Sequence, residues 1–135
     1  MMAEPTPPRS SGPWTAARIA EPVRAALEAA DLAAFGQLLS PDVQWGPPGS
    51  KNPPCKNREQ VLTWYSRGRS AGARAQVIEL TVEGDRLLVG LAVARDPEHP
   101  GVASERWQVL TVGPQGVRDI RGYEERHQAS AALTA

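Results

Sequence analysis

Cysteine is almost missing from this sequence. Cys55 is the single one, which excludes an intrachain disulfide and any metal cage built from several cysteines, and fits a reducing cytoplasm. Histidine is nearly as scarce: His99 falls in a loop and His127 near the C-terminal end, a spacing that matches no metal-ligand set, so neither a metal nor a cofactor is expected. Net charge is absent as well. Fifteen basic residues offset fifteen acidic ones, which leaves no global field to recruit nucleic acid or an acidic membrane. No apolar run approaches a membrane span, and the opening MMAEPTPPRSSGPW lacks the apolar segment of a signal peptide. These absences predict a soluble cytoplasmic domain with no nucleic-acid and no membrane partner. What is present is apolar material, 41% of 135 residues, enough for one domain with a core.

Residues 1–14 are rich in proline and serine and read as a disordered tail, 15–128 as the domain, and 129–135 as a C-terminal tail. Ala16, Ile19, Ala20, Val23, Ala26, Leu27 and Ala30 recur at helical spacing. Proline is best tolerated in a first turn, so the main helix is expected to start near Glu21-Pro22, after a separate turn. Asp31 caps a second helix carrying Leu32, Phe35, Leu38 and Leu39, which Ser40-Pro41-Asp42 stops. Val43 to Trp45 reads as a short strand. The following GPPGSKNPPC is too rich in proline and glycine for regular structure; it lacks the Gly-Lys-Ser/Thr ending of a phosphate loop and reads as a lid or connection over a cavity mouth. A third helix runs from about Arg58 to Arg69, with Val61, Leu62, Trp64, Tyr65 and Gly68 towards the core.

From Gly72 onward the period becomes two. Arg74 to Glu83 places Ile78, Leu80 and Val82 on one face, and Arg86 to Arg95 is apolar on both faces, as a covered central strand would be. A Pro-containing loop over Asp96 to Gly101 precedes strands at Ser104 to Val112 and Val117 to Tyr123. If Gly113-Pro114-Gln115-Gly116 closes their hairpin, Val112 faces Val117, Trp107 faces Gly122, and Val109 faces Ile120. That register sends Trp107 into the core or pocket and leaves Arg106, Gln108, Arg121 and Tyr123 on a polar outer face. A large ring beside a glycine suits such a pair, because it covers exposed backbone.

Asp31 to Phe35 with Leu38-Leu39, Pro41-Asp42-Val43-Gln44-Trp45, Asn57-Arg58-Glu59-Gln60-Val61 and the ending VRDIRGYEE at Val117 to Glu125 follow one another in an order that resembles the SnoaL-like branch of the nuclear transport factor 2-like superfamily, from Glu21 to Gln128. The resemblance implies an α+β fold: a cone-shaped, curved antiparallel sheet closed by about three N-terminal and central helices around a cavity. It also implies a homodimer through the outer sheet face. No single activity follows, since such relatives include polyketide cyclases, ketosteroid isomerases, epoxide hydrolases, dehydratases and non-catalytic binding domains. Where isomerase-like relatives carry a carboxylate base at the end of the first strand, this chain has Trp45. Where they carry a second acid on the penultimate strand, it has Trp107. Neither indole can act as a general base.

The candidate catalytic groups are therefore few. Glu105 and Glu124 are expected opposite one another at the cone's rim, where two close carboxylates could form an acid/base pair or simply stand in solvent. Asp42 could approach the mouth, but its place after proline suits a turn. Asp119 and Arg121 are expected on the outer face as an ion pair or dimer contact. Lys56, Arg58 and a helix N-terminus could lower the Cys55 pKa, yet no base stands near it. The cations between Lys51 and Arg74 could serve nucleic acid or an anionic ligand, but Trp64 and Tyr65 belong to the apolar helix face, so they read as a solvated surface.

Three functions stand side by side. The leading one is binding of a small, largely apolar molecule in a pocket walled by Trp45, Trp64, Trp107 and Ile120. The second is an isomerase, cyclase or hydrolase using Glu105, Glu124 or Asp42, which requires one of them inside the cavity. The third is a protein-interaction or dimerisation module, which requires a filled cone.

Overall fold

The computed structural model describes residues 14–70, 72–94 and 103–135. The expected disorder of residues 1–13 and the loop over Asp96 to Gly101 lie outside them.

Helix α1 spans Ala16–Ala29 without interruption, capped by the Thr15 side chain, which accepts a hydrogen bond from the Arg18 N–H at 3.1 Å. The expected start at Glu21-Pro22 is corrected: Pro22 lies within the helix. An interior proline costs about 3 kcal/mol, and the buried stripe of Ala16, Ile19, Val23, Ala26 and Leu27 on both sides of it offsets that cost. Trp14, assigned above to the tail, packs against the core. Ala30 takes a left-handed conformation and ends α1, and Asp31 caps α2 (Leu32–Gln37) through the Ala34 N–H at 3.0 Å, as expected.

Strand β1 is longer than Val43 to Trp45. It covers Leu39–Gly46, so Leu39 and the Ser40-Pro41-Asp42 segment belong to the sheet and not to a helix end or turn. Proline is tolerated there because β1 is an edge strand. Helix α3 follows at Arg58–Ser70, with Asn57 Oδ1 accepting from the Gln60 N–H at 2.9 Å. Strands β2 (Arg74–Glu83), β3 (Arg86–Ala94), β4 (Ala103–Gly113) and β5 (Gly116–Tyr123) fall close to their expected bounds.

The five strands form one curved sheet in the order β1-β5-β4-β3-β2. All neighbours are antiparallel except β1, which runs parallel to β5. Helices α1 to α3 pack on one face, over Leu39, Val43, Val77, Leu87, Val89, Leu110, Val117 and Ile120. This is the expected cone-like α+β arrangement. A bulge in β2 between Val77 and Glu79 alters the predicted face: Val77 turns inward, while Ile78 is 44% exposed.

Residues 129–135, read as a tail, belong to a fourth helix. Helix α4 (Arg126–Thr134) docks on the opposite, outer face of the sheet, where Ala129 and Leu133 bury Leu88, Trp107 and Val109. Both faces of β3 are thereby covered, as its continuous apolar run implied. Arg86 donates to the carbonyls of Ala132 and Ala135 at 2.6 and 2.8 Å, and Glu79 receives a two-pronged contact from Arg126 at 2.7 and 2.8 Å, so α4 is tied near both ends.

Candidate functional site

A cavity of 720 Å³ opens between the helices and the inner face of the sheet. Its walls come from the ends of α1 and β1, from Leu32 and Phe35 of α2, from Trp64, Tyr65, Arg67 and Gly68 of α3, and from Leu91, Val93, Arg106 and Gln108 of the sheet.

The aromatic side chains form a connected series. The Trp45 and Trp64 rings are 4.1 Å apart between centroids, Trp64 meets Tyr65 edge-on at 5.3 Å, and Tyr65 meets Phe35 at 5.0 Å. Trp64 is the outermost, 45% exposed at the mouth. The loop after β1 is held in place on two sides. Trp45 and Cys55 exchange backbone hydrogen bonds at 3.0 and 3.2 Å, and Arg121 donates to the carbonyls of Pro47 and Ser50 at 2.9 Å each. It is a pinned connection over the cavity.

Polar atoms inside are sparse. Tyr65 Oη donates to Gln108 Oε1 at 3.2 Å, and Gln108 is buried. Burial holds the Tyr65 phenol well above its ordinary pKa, with the Gln108 contact and the nearby Trp45 indole pulling partly the other way. That indole approaches the phenol without making a geometric hydrogen bond: Trp45 Nε1 is buried and without an acceptor. The cavity thus combines apolar walls with one neutral Tyr–Gln pair.

The expected site residues divide. Trp45 and Trp64 are in the wall. Ile120 faces inward and is fully buried beside its strand partner Trp45, behind the residues that line the cavity. Trp107 borders the cavity only through its position on β4. Its ring belongs to the outer-face cluster with Leu88 and Val109 under α4, with the Arg126 guanidinium 6.0 Å from its centroid.

The cause is a one-residue slip in the last hairpin. Val112 pairs with Val117 as expected, but Thr111 pairs with Asp119, so Arg118 is the extra residue of a bulge. Every pair beyond it shifts. Trp107 faces Tyr123, Gln108 faces Gly122, and Leu110 faces Ile120. Gln108 and Arg106, assigned above to the outer face, instead reach the cavity, while Arg121 and Tyr123 stay on the outer face as expected, where Trp107 joins them. Sequence reasoning missed Gln108 and Arg106, although a signal existed: Val117-Arg118-Asp119-Ile120 breaks strict alternation with two polar residues in a row.

The carboxylate expectations do not hold together. Glu105 pairs with Ala92 on the outer side, beyond the end of the β4–β5 pairing, and does not meet Glu124. Asp42 lies exposed on the outer face beside Gln44, Arg118 and Asp119, where it accepts a hydrogen bond from the Ser40 hydroxyl. Among the described residues only Glu124 brings a carboxylate to the cavity mouth, and it too is exposed. Asp119 and Arg121 form an ion pair at 3.0 Å on the outer face, as expected. Cys55 is buried, and burial raises its pKa, with Arg67 opposing in part, which is the reverse of an activated thiol.

Among the described residues no helix is long and apolar enough to cross a membrane. A family model described as a SnoaL-like domain matches residues 20–122. Solved structures with the same fold include a candidate polyketide cyclase from Sinorhizobium meliloti, with 21% identity, a TM-score of 0.61, and coverage of 78% of this chain and 93% of that one. A candidate ketosteroid isomerase from Kribbella flavida has 16% identity and a TM-score of 0.66, covering 82% and 78%. An LEH-like epoxide hydrolase from M. tuberculosis has 18% identity and a TM-score of 0.60, covering 87% and 88%. No curated protein sequence matches the chain.

Proposed function

The chain belongs to the SnoaL-like domain family, and from that premise we propose that it binds a small, largely apolar molecule. The observation that carries this reading is the cavity itself, walled by the Trp45, Trp64, Tyr65 and Phe35 rings with the Tyr65–Gln108 pair as its polar interior. The 720 Å³ volume lies within the range of small-molecule sites. Polyketides, ketosteroids and epoxides, the substrates in the neighbours' names, are carbon-rich small molecules of this kind.

The site favours binding over acid/base chemistry, because its interior polar groups are a neutral phenol, an amide and an indole. A filled cone, which a pure interaction module requires, is not what this cavity provides. A homodimer through the outer sheet face would use the surface that α4 leaves open, near Asp42, Gln44, Arg118 and Asp119.

The test is a titration with the uncharged fluorescent probe N-phenyl-1-naphthylamine. Saturable one-to-one enhancement is expected, weakened by Gly68→Leu, since among the described residues nothing lies within 4 Å of a Cβ at Gly68 and a side chain there intrudes on the cavity without displacing the core. Unsaturable enhancement, or indifference to Gly68→Leu in a variant with an unchanged melting temperature, would sink the proposal.

A further inference from the structure

We propose that the cavity selects an amphipathic anion: an apolar body against the Trp45 and Trp64 rings, and a terminal oxyanion held at the mouth by Arg67 and Arg106. This rests on the binding reading above and narrows its ligand class.

Arg67 and Arg106 line the cavity from two walls, helix α3 and strand β4. Arg67 stands three residues after Trp64, on the same side of α3. Arg106 pairs with Leu91 across β4 and β3 and shares the cavity side with Gln108, because the shifted register turns Trp107 the other way. Both are exposed, and neither takes part in an ion pair among the described residues, whereas Arg24, Arg121 and Arg126 each do. Among the described residues Glu124 is the one acidic residue at the same opening. Two exposed arginines against one carboxylate make this lining locally positive.

Depth divides the chemistry. A carboxylate in the apolar interior would be costly to desolvate, while at the rim it keeps water and gains the planar forks of two arginines. A carboxylate and a phosphate monoester share this oxyanion geometry.

The test is displacement of N-phenyl-1-naphthylamine by decanoate, decyl phosphate and decan-1-ol, which share one apolar chain. At low salt at least one acid is expected to compete about tenfold better than the alcohol. That ratio falls in 0.5 M NaCl and approaches one in Arg67→Gln/Arg106→Gln, whose fold is checked by its melting temperature. The better acid identifies the head group. Equal competition by alcohol and acids overturns the inference, as does an acid preference that survives the double substitution; both outcomes leave the binding reading intact. Absence of probe binding to the unaltered protein removes that reading, and the inference with it.

Discussion

The Trp107 ring occupies the space that a side chain at Gly90 would fill: a Cβ there would stand 2.9 Å from Cε3 and closer still to Cζ3. The two residues are cross-strand partners on the outer face, so the ring covers the glycine backbone and is in turn covered by α4. Gly90→Ala must push the ring aside, at an expected cost of about 1–3 kcal/mol. Trp107→Ala is expected to cost about 3–5 kcal/mol. In the double variant the methyl fits the vacated space, so the two costs should be markedly non-additive in urea denaturation. Additive costs would mean the ring does not rest on Gly90.

Helix α4 contributes Leu133, 5% exposed, to the same cluster. Leu133→Ala is expected to lower stability by about 2–5 kcal/mol. A loss well under 1 kcal/mol would show that α4 is not docked in solution.

Hydrogen bonds from Arg126 hold the Glu79 carboxyl below its ordinary pKa. A depressed carboxyl stabilises the fold above the unfolded carboxylate range, and the contribution is lost as pH falls through the folded value. Melting temperature measured from pH 7 to pH 3 should therefore fall less steeply in Arg126→Gln than in the unaltered protein. The Arg126 side chain is more than half exposed, so added salt should narrow the difference. Parallel acid profiles would remove Glu79 from the account.

Burial raises the pKa of both tyrosines, Tyr65 and Tyr123, which are the only two in the chain. Phenolate absorbance at 295 nm should stay low as pH passes about 10, the ordinary tyrosine value. The linkage has a definite sign: stability is full below the unfolded pKa and declines as pH rises above it, because the unfolded chain releases protons first. Ordinary titration of either phenol in the folded protein would contradict its burial.

Cys55 should react slowly with Ellman's reagent at neutral pH and quickly in denaturant, since the thiol is 6% exposed and its pKa raised. Rapid reaction of the native protein would mean that the Trp45–Cys55 bridge opens readily.

The sequence by itself determined the succession of elements and the character of β3. Helical spacing in Ala16 to Ala30, the Asp31 cap and the apolar run from Leu87 to Leu91 are local patterns, and local patterns survive without knowledge of what they pack against. Tertiary structure decided what each strand shows to the cavity. A single extra residue at Arg118 shifts β5 against β4, so the inward Ile120 stands opposite Leu110 and not Val109, and the even-numbered residues of β4 share its face, because the side-chain period of a strand is two. That register turned the Trp107 ring to the outer face, brought Arg106 and Gln108 to the cavity side, and left a hydrophobic outer face for α4 to cover. The helix itself was illegible for a related reason: Arg126 to Thr134 is short and weakly apolar, and it is ordered by the sheet beneath Ala129 and Leu133, not by its own propensity.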